Sequence, residues 1–484
     1  MKVLKELEPR KVFEYFEEIC SIPHGSRNTK KISDYLVGFA KEHKLRSIQD
    51  EYNNVIIFKK ATPGYEYAKP VIIQGHMDMV CEKEDGVSID FDNEGLRLQV
   101  VDGKVTADGT TLGADDGIAV AYALALLDSE DIAHPALEVV ITVDEEIGML
   151  GATGLDTSVL KGNTMLNLDT EDEGYLLVSC AGGATVNCSI AAKQKDTFGY
   201  SIIIKISGLT GGHSGIEIHQ GRANANQIMG RLLYKAVSEY DIYICDVAGG
   251  LKDNAIPRSC ECNLIIGEDQ DVYAFSESLQ GYADVILKEI ALTDANAVID
   301  IECSPLADVN LAFSLEDTKR MITALYTLPG GVQKMSQNIP GLVQTSLNMG
   351  ILKSYADKLS MSFSVRSSVA SEKEELISRI HCVMDGMCGT VEIEGEYPAW
   401  EYKADSPLRE MMVQIFKEQY GKEPIVYAVH AGVECGIFAD KIPGLDCVSF
   451  GPELTDIHTP AECMDIASVQ RTWSFVKEIL KRMK

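Results

Sequence analysis

Five segments of the chain carry carboxylate and imidazole side chains at the ends of apolar runs. The first is VIIQGHMDMV, in which His76 and Asp78 follow the strand-like run 71–74. Residues two apart in an extended segment point to the same side, so one could bind a metal ion while the other supports it. A metal-bound histidine usually donates its second ring N–H to a carboxylate or carbonyl. The pair alone also fits a strand end whose polar groups are satisfied by neighbours.

The next two segments place several carboxylates side by side. In LGADDGIAVAYALALL, Asp115 and Asp116 directly precede an apolar helix, and in ITVDEEIGMLGA, Asp144, Glu145 and Glu146 end an apolar strand. An acidic residue before a helix is also a common cap. Adjacent carboxylates in apolar surroundings repel each other and lose hydration, unless cations or helix N-termini compensate them. A carboxylate has two oxygens and can also bridge two cations.

Two further strand ends complete the set. Asp169 follows an apolar strand in LNLDTEDEG, and His458 lies in a loop after the strand at 445–450 in SFGPELTDIHTPAE. In open α/β sheets, sites form beyond the carboxyl ends of the strands, where the five segments would meet. Oxygen and imidazole ligands favour Zn, Mn or Co over an iron–sulfur cluster. A pair of such ions can activate water and polarise a carbonyl group.

Hydrophobic periodicity predicts the elements that hold these residues. Apolar residues recur at helical spacing over the first fifty residues, and further helices are predicted at 117–127 and from about residue 151. Strands that alternate with helices indicate an α/β sheet with helices on both faces. The predicted strands lie at 54–59, 69–74, 136–143 and 164–168.

The pattern changes after about residue 180. The next two hundred residues suggest an antiparallel sheet with two helices on one face, and a strand-and-helix pattern returns after Tyr397. We therefore predict a first domain over residues 1–184 and 396–484, interrupted by a second domain over residues 185–395. The elements predicted in the second domain are strands at 200–207, 344–353 and 358–366 and helices at 223–239 and 372–387.

Composition and charge exclude several classes of protein. The chain has 484 residues, of which 45% are hydrophobic and 24% charged, which is typical of a globular enzyme of two domains rather than a disordered chain. The net charge of -29 argues against nucleic acid and anionic membranes as partners. No run approaches the ~20 apolar residues of a membrane span. The N-terminal segment lacks the apolar core of a secretory signal, and the 13 cysteines lack paired spacing, so we expect reduced thiols and a cytoplasmic location.

Six motifs occur along the chain in the order GHMDMV, LGADDGIA, VDEEIGMLGA, LDTEDEG, GGHSG and DIHTPAE. In this order and spacing they resemble the M20 family of metallopeptidases, most closely its aminoacyl-histidine dipeptidase branch. The likeness covers nearly the whole chain and includes HAGVECGIF near its end. It implies a hydrolase that acts on small peptides.

The resemblance implies which residues hold metal ions. His76, Asp115 and Asp169 would hold one ion. Asp115, Glu146 and His458 would hold the other, so that Asp115 is the bridge. The cofactor would be two divalent ions, Zn2+ with Co2+ or Mn2+ as alternatives.

The resemblance also implies how the reaction runs. Glu145 would be the general base, which takes a proton from a metal-activated water molecule and passes it to the leaving amine. Asp78 would be the supporting carboxylate behind His76. The family often has a cis peptide bond within its pair of aspartates, here Asp115 and Asp116.

The family architecture agrees with the predicted interruption. It implies a zinc-exopeptidase-type catalytic domain, with a mixed sheet flanked by helices, that is split by an inserted α+β lid domain. In dimeric relatives the lid mediates dimerisation, so a homodimer is implied. The lid histidine, here His213, would stabilise the oxyanion of the reaction, often from the partner subunit. From the residues alone, a histidine in a glycine-rich turn is more often an exposed loop residue, and we interpret His24 and His219 as structural.

Four further residues are candidates for substrate binding. Asn254 lies in LKDNAIPR, and Arg366 ends the run SMSFSVR. The planar fork of an arginine suits a substrate carboxylate, although a surface ion pair is the alternative for Arg366. His430 and Glu434, in HAGVECG, are candidates for the region near the substrate amino group.

The resemblance implies dipeptides as substrates, including Xaa-His, because a closed lid that recognises both termini limits substrate length. Two related activities on the same scaffold stay open, a tripeptide aminopeptidase and an amidase of N-acyl amino acids. A binding protein without activity is disfavoured, because Glu145 and all five ligands are present.

Overall fold

The computed structural model describes residues 2–484, and the chain divides into two compact units. Unit 1 comprises the residues up to Cys180 together with Tyr402–Ala428 and Val433–Lys484. Unit 2 comprises Ala181–Glu401 and Val429–Gly432. Over the described residues, no helix is long and apolar enough to cross a membrane.

The segment before residue 181 alternates helices and strands. The helices form because apolar residues recur at helical spacing, as in α1, which buries Val12, Phe13, Phe16 and Ile19. The helices are α1 (Arg10–Cys20), α2 (Lys30–Glu42), α3 (Ala114–Asp128) and α4 (Leu150–Gly154). The strands are β1 (Arg46–Gln49), β2 (Val55–Lys59), β3 (Val71–His76), β4 (Leu98–Val101), β5 (Lys104–Ala107), β6 (Leu137–Thr142), β7 (Thr164–Asn167) and β8 (Tyr175–Cys180).

The segment from 181 to 401 is richer in long strands. The strands are β9 (Gly182–Ala191), β10 (Gln194–Ser207), β11 (Gly212–His213), β12 (Ile242–Gly249), β13 (Ala255–Ile256), β14 (Cys260–Ile266), β15 (Val298–Phe313), β16 (Gly331–Met335), β17 (Val343–Tyr355), β18 (Lys358–Ser367) and β19 (Thr390–Tyr397). The helices are α5 (Ala225–Glu239), α6 (Val272–Ile290), α7 (Leu315–Thr327) and α8 (Ala370–Gly386).

The last segment returns to the pattern of the first. Its helices are α9 (Pro407–Tyr420), α10 (Glu434–Lys441) and α11 (Ile466–Arg482). Its strands are β20 (Ile425–Val429), β21 (Asp446–Ser449), β22 (Leu454–Thr455) and β23 (Cys463–Asp465).

Unit 1 is built on a mixed sheet. Its strand order is β1-β2-β6-β3-β7-β21-β8-β20, and the central strands β6, β3, β7 and β21 are parallel to one another. Every residue of β3, β6 and β21 is buried, so both faces of this part of the sheet are covered. The predicted α/β fold is therefore confirmed. A small sheet in the order β22-β23-β5-β4 completes the unit.

Unit 2 is built on an antiparallel sheet in the order β15-β10-β14-β12-β17-β18-β9-β19, with β16 beside β17. One core cluster contains side chains from all four helices and from the sheet, so the helices cover one face. The prediction of only two helices here is wrong, because α6 and α7 are also present. Their buried stripes are narrow, and Gly281 interrupts the pattern of α6, which weakens the helical signal in the sequence.

Candidate metal centre

Four parallel strands of unit 1 bring predicted residues together at their C-terminal ends. His76 is the last residue of β3, Glu145 and Glu146 follow the end of β6, and Asp169 lies two residues beyond β7. His458 follows β21 and lies in the hairpin between β22 and β23, with a left-handed φ of 60°. Because parallel strands end on the same side, residues that are far apart in sequence become neighbours.

Asp115 comes from a different element, the N-terminus of helix α3. The backbone of Asp115 and Asp116 is not helical, and the peptide bond between them is cis, as the resemblance implied. Oδ1 of Asp115 lies 3.2 Å from Nε2 of His76, whereas Oδ2 lies 3.1 Å from Nε2 of His458. The two oxygens of one carboxylate thus face two different histidines.

The five predicted ligands lie together in two groups that share one residue. The first group is His76, Asp115 and Asp169, and the second is Asp115, Glu146 and His458; in each, one ligand-type atom per residue lies within 4.8 Å of the others. Nε2 of His76 is 3.5 Å from Oδ1 of Asp169, and Nε2 of His458 is 3.0 Å from Oε1 of Glu146. Each group could hold one metal ion.

The spacing of these atoms fits a shared cation. Ligands bound tetrahedrally to zinc at ~2.0–2.1 Å lie about 3.3 Å from one another. The four nitrogen–oxygen distances in the two groups are 3.2, 3.5, 3.1 and 3.0 Å. Oε1 of Glu146 is buried and accepts no hydrogen bond from the described residues, although His458 is close. The positions of this imidazole nitrogen and carboxylate oxygen fit two ligands of one ion.

The electrostatics of the two groups also favour bound positive charge. Burial raises the pKa of Asp169 to about 7, and repulsion from Asp115 and Glu171 adds to the rise against the opposing effect of His76. The adjacent carboxylates of Asp115 and Glu146 raise the pKa of His458 to about 10. Neighbouring carboxylates contribute to both shifts, and a divalent cation would offset their negative charge.

Asp78 connects His76 to Glu145. Nδ1 of His76 lies 3.0 Å from the backbone oxygen of Asp78 and 3.5 Å from its Oδ1, which leaves Nε2 facing the first group. The Asp78 carboxylate accepts the backbone N–H of Glu145 at 3.1 Å and the hydroxyl of Ser26 at 2.8 Å. Burial raises the pKa of Glu145 well above its ordinary value, and neighbouring carboxylates add to the rise although His76 opposes it.

Glu462 is a further residue of the site that the sequence patterns do not single out. Its side chain is 2% exposed, and its carboxylate accepts four consecutive backbone N–H groups, those of residues 112–115, at 2.7 to 3.4 Å. This contact fixes the start of α3, where Asp115 lies. The only signal is its position in the DIHTPAE motif, four residues after His458.

His213 lies in unit 2, at the end of β11, and is partly buried. Its Nδ1 accepts the backbone N–H of Gly215 at 3.0 Å and that of Ile216 at 3.2 Å. Because a backbone N–H can only donate, Nδ1 carries the lone pair and the neutral ring carries its hydrogen on Nε2. Burial lowers the pKa of His213, and the charge of Arg366 lowers it further. His213 is thus a neutral hydrogen-bond donor through Nε2.

Arg366 and His430 also belong to unit 2 and interact electrostatically. Arg366 is buried, with Nη1 donating to the hydroxyl of Tyr397 at 2.8 Å and with Nε unpartnered among the described residues. The alternative of a surface ion pair is therefore wrong. Nε2 of His430 lies 2.7 Å from Oγ of Ser346, and its Nδ1 has no partner in the described chain. Burial, followed by the charge of Arg366, lowers the pKa of His430 to about 3.

Four other residues named from the sequence belong to neither of the two ligand groups. Asn254 is exposed in unit 2. Glu434 is fully buried in unit 1, where Oε2 accepts the amide of Gln74 at 2.5 Å while Oε1 has no partner among the described residues, and its place near the substrate amino group stays a prediction. His24 is buried with Nδ1 against a backbone oxygen, whereas His219 is exposed, and neither lies in the two ligand groups.

Comparison with known proteins identifies the class. The profile of Peptidase family M20/M25/M40 matches residues 72–482. The cytosol non-specific dipeptidase of Escherichia coli (strain K12) is 34% identical over 485 aligned residues, which cover 100% of this chain and 99% of that protein. The chain therefore belongs to Peptidase family M20/M25/M40.

Solved structures show the same relationship. Aminoacylhistidine dipeptidase from Vibrio alginolyticus superposes with a TM-score of 0.93 and 35% identity, over 99% of this chain and 97% of that chain. Aminopeptidase PepT from Bacillus cereus superposes with a TM-score of 0.57 and 16% identity, over 99% of each chain, which shows a shared fold alone.

Proposed function

We propose that this protein is a dipeptidase that hydrolyses the peptide bond of dipeptides, including Xaa-His dipeptides, at a centre of two divalent metal ions. The observation that carries the proposal is Asp115, whose two oxygens face His76 and His458 separately. The substrate class is supported by the dipeptidases of E. coli and V. alginolyticus, which are similar over the full length.

The metal ligands of the proposal are the two groups that share Asp115. Zn2+ is the proposed ion and Co2+ and Mn2+ are alternatives, because imidazole and carboxylate ligands suit all three. Two such ions, when bound, lower the pKa of water and polarise the scissile carbonyl group. His76 is oriented for this role by Asp78, and Asp115 by Glu462.

Glu145 is the proposed general base. Its carboxylate takes a proton from the attacking water molecule and gives it to the nitrogen of the leaving amine, so the side chain ends the cycle as it began. The hydrogen bond from its backbone N–H to Asp78, which holds the residue beside His76, supports this role.

The residues of unit 2 are proposed to act on the substrate. His213 donates Nε2–H to the carbonyl oxygen as negative charge develops there, which its neutral state permits. Arg366 and His430 each have a buried nitrogen without a partner among the described residues. We assign Arg366 to the substrate carboxylate and His430 to the region near the substrate amino group. Asn254 is a further proposed contact with the substrate.

The proposal also includes the roles of the two domains, the oligomeric state and the cellular location. Residues 1–184 and 396–484 form the catalytic domain, and residues 185–395 form a lid that mediates a homodimer. A cytoplasmic location is supported by the name of the E. coli relative, a cytosol dipeptidase.

The test is a substrate panel run on the metal-loaded enzyme. Purified protein is assayed with dipeptides, tripeptides and N-acyl amino acids, and its metal content is measured by mass spectrometry. We expect hydrolysis of dipeptides with two ions per chain. Protein carrying Glu145→Gln, prepared identically, controls for contaminating peptidases. Preferred cleavage of tripeptides or N-acyl amino acids would replace the dipeptidase proposal with one of the related activities.

A further inference from the structure

The segment that carries His213 is held at both ends by one carboxylate. Oδ1 of Asp294 accepts the backbone N–H of Thr210 at 2.8 Å, and Oδ2 accepts the backbone N–H of Ala223 at 2.9 Å. The hydroxyl of Thr293 also donates to Oδ2, at 2.8 Å. Asp294 lies between α6 and β15, more than seventy residues further along the chain, so it closes the segment 210–223 into a loop.

Within this loop, a second set of contacts fixes the backbone of His213. Nη1 of Arg222 donates to the oxygen of Gly211 at 2.6 Å and to Oε1 of Glu217 at 3.0 Å. Oε2 of Glu217 accepts the backbone N–H of His213 at 2.7 Å. Arg222 directly precedes Ala223, whose N–H group donates to Asp294. The contact of Asp294 at this end of the loop is therefore next to the contacts that hold His213.

The same loop determines which nitrogen of the His213 ring carries the hydrogen. The backbone N–H groups of Gly215 and Ile216 converge on Nδ1, which leaves Nε2 as the donor. Residue 215 has to be glycine, because a Cβ there would lie 2.8 Å from the backbone oxygen of His430 and 2.9 Å from Cε1 of His213. The tautomer therefore depends on the conformation of the loop backbone.

The ionised form of the Asp294 side chain is suited to holding this loop. Its side chain is 1% exposed. Burial works against its ionisation, but the hydrogen bonds from the N–H groups of Ala223 and Thr210 and from the hydroxyls of Thr293 and Thr210 together place its pKa below the ordinary value. An ionised carboxylate offers acceptors to both ends of the loop at once, whereas an amide offers one oxygen.

We propose that Asp294 is a positioning residue for catalysis, which holds both ends of the loop 210–223 and thereby keeps the His213 ring placed as an Nε2–H donor. The proposal rests on the proposed role of His213 at the substrate carbonyl. Asp294 itself touches neither substrate nor metal in this role. It acts only through His213, and this dependence can be measured.

The experiment is a double-mutant cycle on the metal-loaded enzyme with a dipeptide substrate. We expect His213→Ala to lower kcat about 10²–10³-fold, as for the loss of one oxyanion donor. Asp294→Ala lowers kcat about 10–100-fold by misplacing that donor, with a smaller effect on KM. The double variant then equals His213→Ala alone within about twofold, since the two changes remove the same interaction. Asp294→Asn, which keeps the shape and one oxygen, restores part of kcat.

The control is Asp271→Ala in the same unit. Asp271 caps α6 by accepting the N–H groups of Tyr273 and Ala274, both at 3.0 Å, and lies outside the loop 210–223. We expect its removal to leave kcat unchanged. Metal content and the melting temperature are measured for each variant, and Asp294→Asn decides the question if Asp294→Ala does not fold.

The outcomes separate the two proposals. If His213→Ala leaves kcat unchanged, the role of His213 in the proposed function is wrong. If His213→Ala lowers kcat but the Asp294 variants do not, or if the effects of the two residues multiply in the double variant, the positioning role of Asp294 is overturned while the role of His213 stands.

Discussion

The two units hold their functional residues in different ways. In unit 1, four of the five proposed ligands follow strands of one sheet, and Asp115 begins a helix that is buried on all sides. In unit 2, His213 lies on a glycine-rich loop whose strand β11 is only two residues long. A sheet positions strand ends through its backbone ladder, whereas a loop is positioned by the side chains that tie it down.

Because of this difference, we expect substitutions in the two units to affect different measurable properties. Changes to the proposed ligands of unit 1, or to the residues that hold them, should alter metal content, because the proposed ligands of both ions lie there. Changes in unit 2 should leave the metal in place and alter only kcat or KM. The following predictions test this division, and any variant of unit 2 that loses metal would break it.

The largest effect is expected for Asp115→Ala. This residue gives one oxygen to each group, so its loss should remove both metal ions and abolish turnover. Metal content per chain and kcat are the measurements. Asp144→Asn is the matched control, because Asp144 belongs to the acidic run after β6 but its carboxylate accepts the backbone N–H of Arg27 instead, at 2.6 Å. One ion retained by the Asp115 variant would exclude it as the bridge.

Glu145→Ala should abolish measurable turnover, since general-base catalysis supplies ~10²–10⁴-fold and nothing else on the chain is proposed to move the proton. Both metal ions should stay bound, because Glu145 is in neither group. The adjacent Glu146→Ala is the comparison, and it should lose one ion. Loss of metal from the Glu145 variant, or activity that survives in it, would contradict the assignment.

Glu462→Gln should weaken metal binding about 10–100-fold, as changes behind a metal ligand usually do. The neutral amide holds the four N–H groups at the start of α3 less well, so Asp115 is placed less firmly. Titration of the metal-free protein with Zn2+ measures the effect. Glu138→Gln is the control, because Glu138 is also buried and accepts backbone N–H groups, those of residues 161 and 162. Equal zinc affinities in the two variants would show that Glu462 does not support metal binding.

The smallest effect is expected for Arg366→Lys. Lysine keeps the charge but loses the planar fork, so KM should rise about tenfold while kcat and metal content change little. Steady-state kinetics with one dipeptide give both constants. Arg320→Lys serves as a control within unit 2, where Arg320 donates to the backbone oxygen of Met387 at 3.0 Å. An unchanged KM would show that Arg366 does not bind substrate.

Much of the fold could be predicted because hydrophobic periodicity is local. The apolar runs that become β3, β6, β7 and β21 are short, buried and bounded by polar residues, and their alternation with helices indicates the α/β class. In unit 2 the same approach missed the helices α6 and α7 and the strands β9, β11 to β16 and β19. The apolar stripes of the two helices are narrow, and their conformations depend on the shared core more than on their own sequences.

The residues of the metal centre were also predictable, since each lies in a motif beside an apolar element. The sequence alone, together with the family likeness it carries, determined which residue types cluster, that they follow strands of one sheet, and that divalent metal chemistry suits them. Only the tertiary structure decided that the two oxygens of Asp115 face opposite histidines, that Glu462 caps a helix 348 residues earlier, and that Asp294 closes the His213 loop. These contacts join carboxylates to backbone N–H groups and rings far away in the chain, and no local pattern of side chains encodes such a partner.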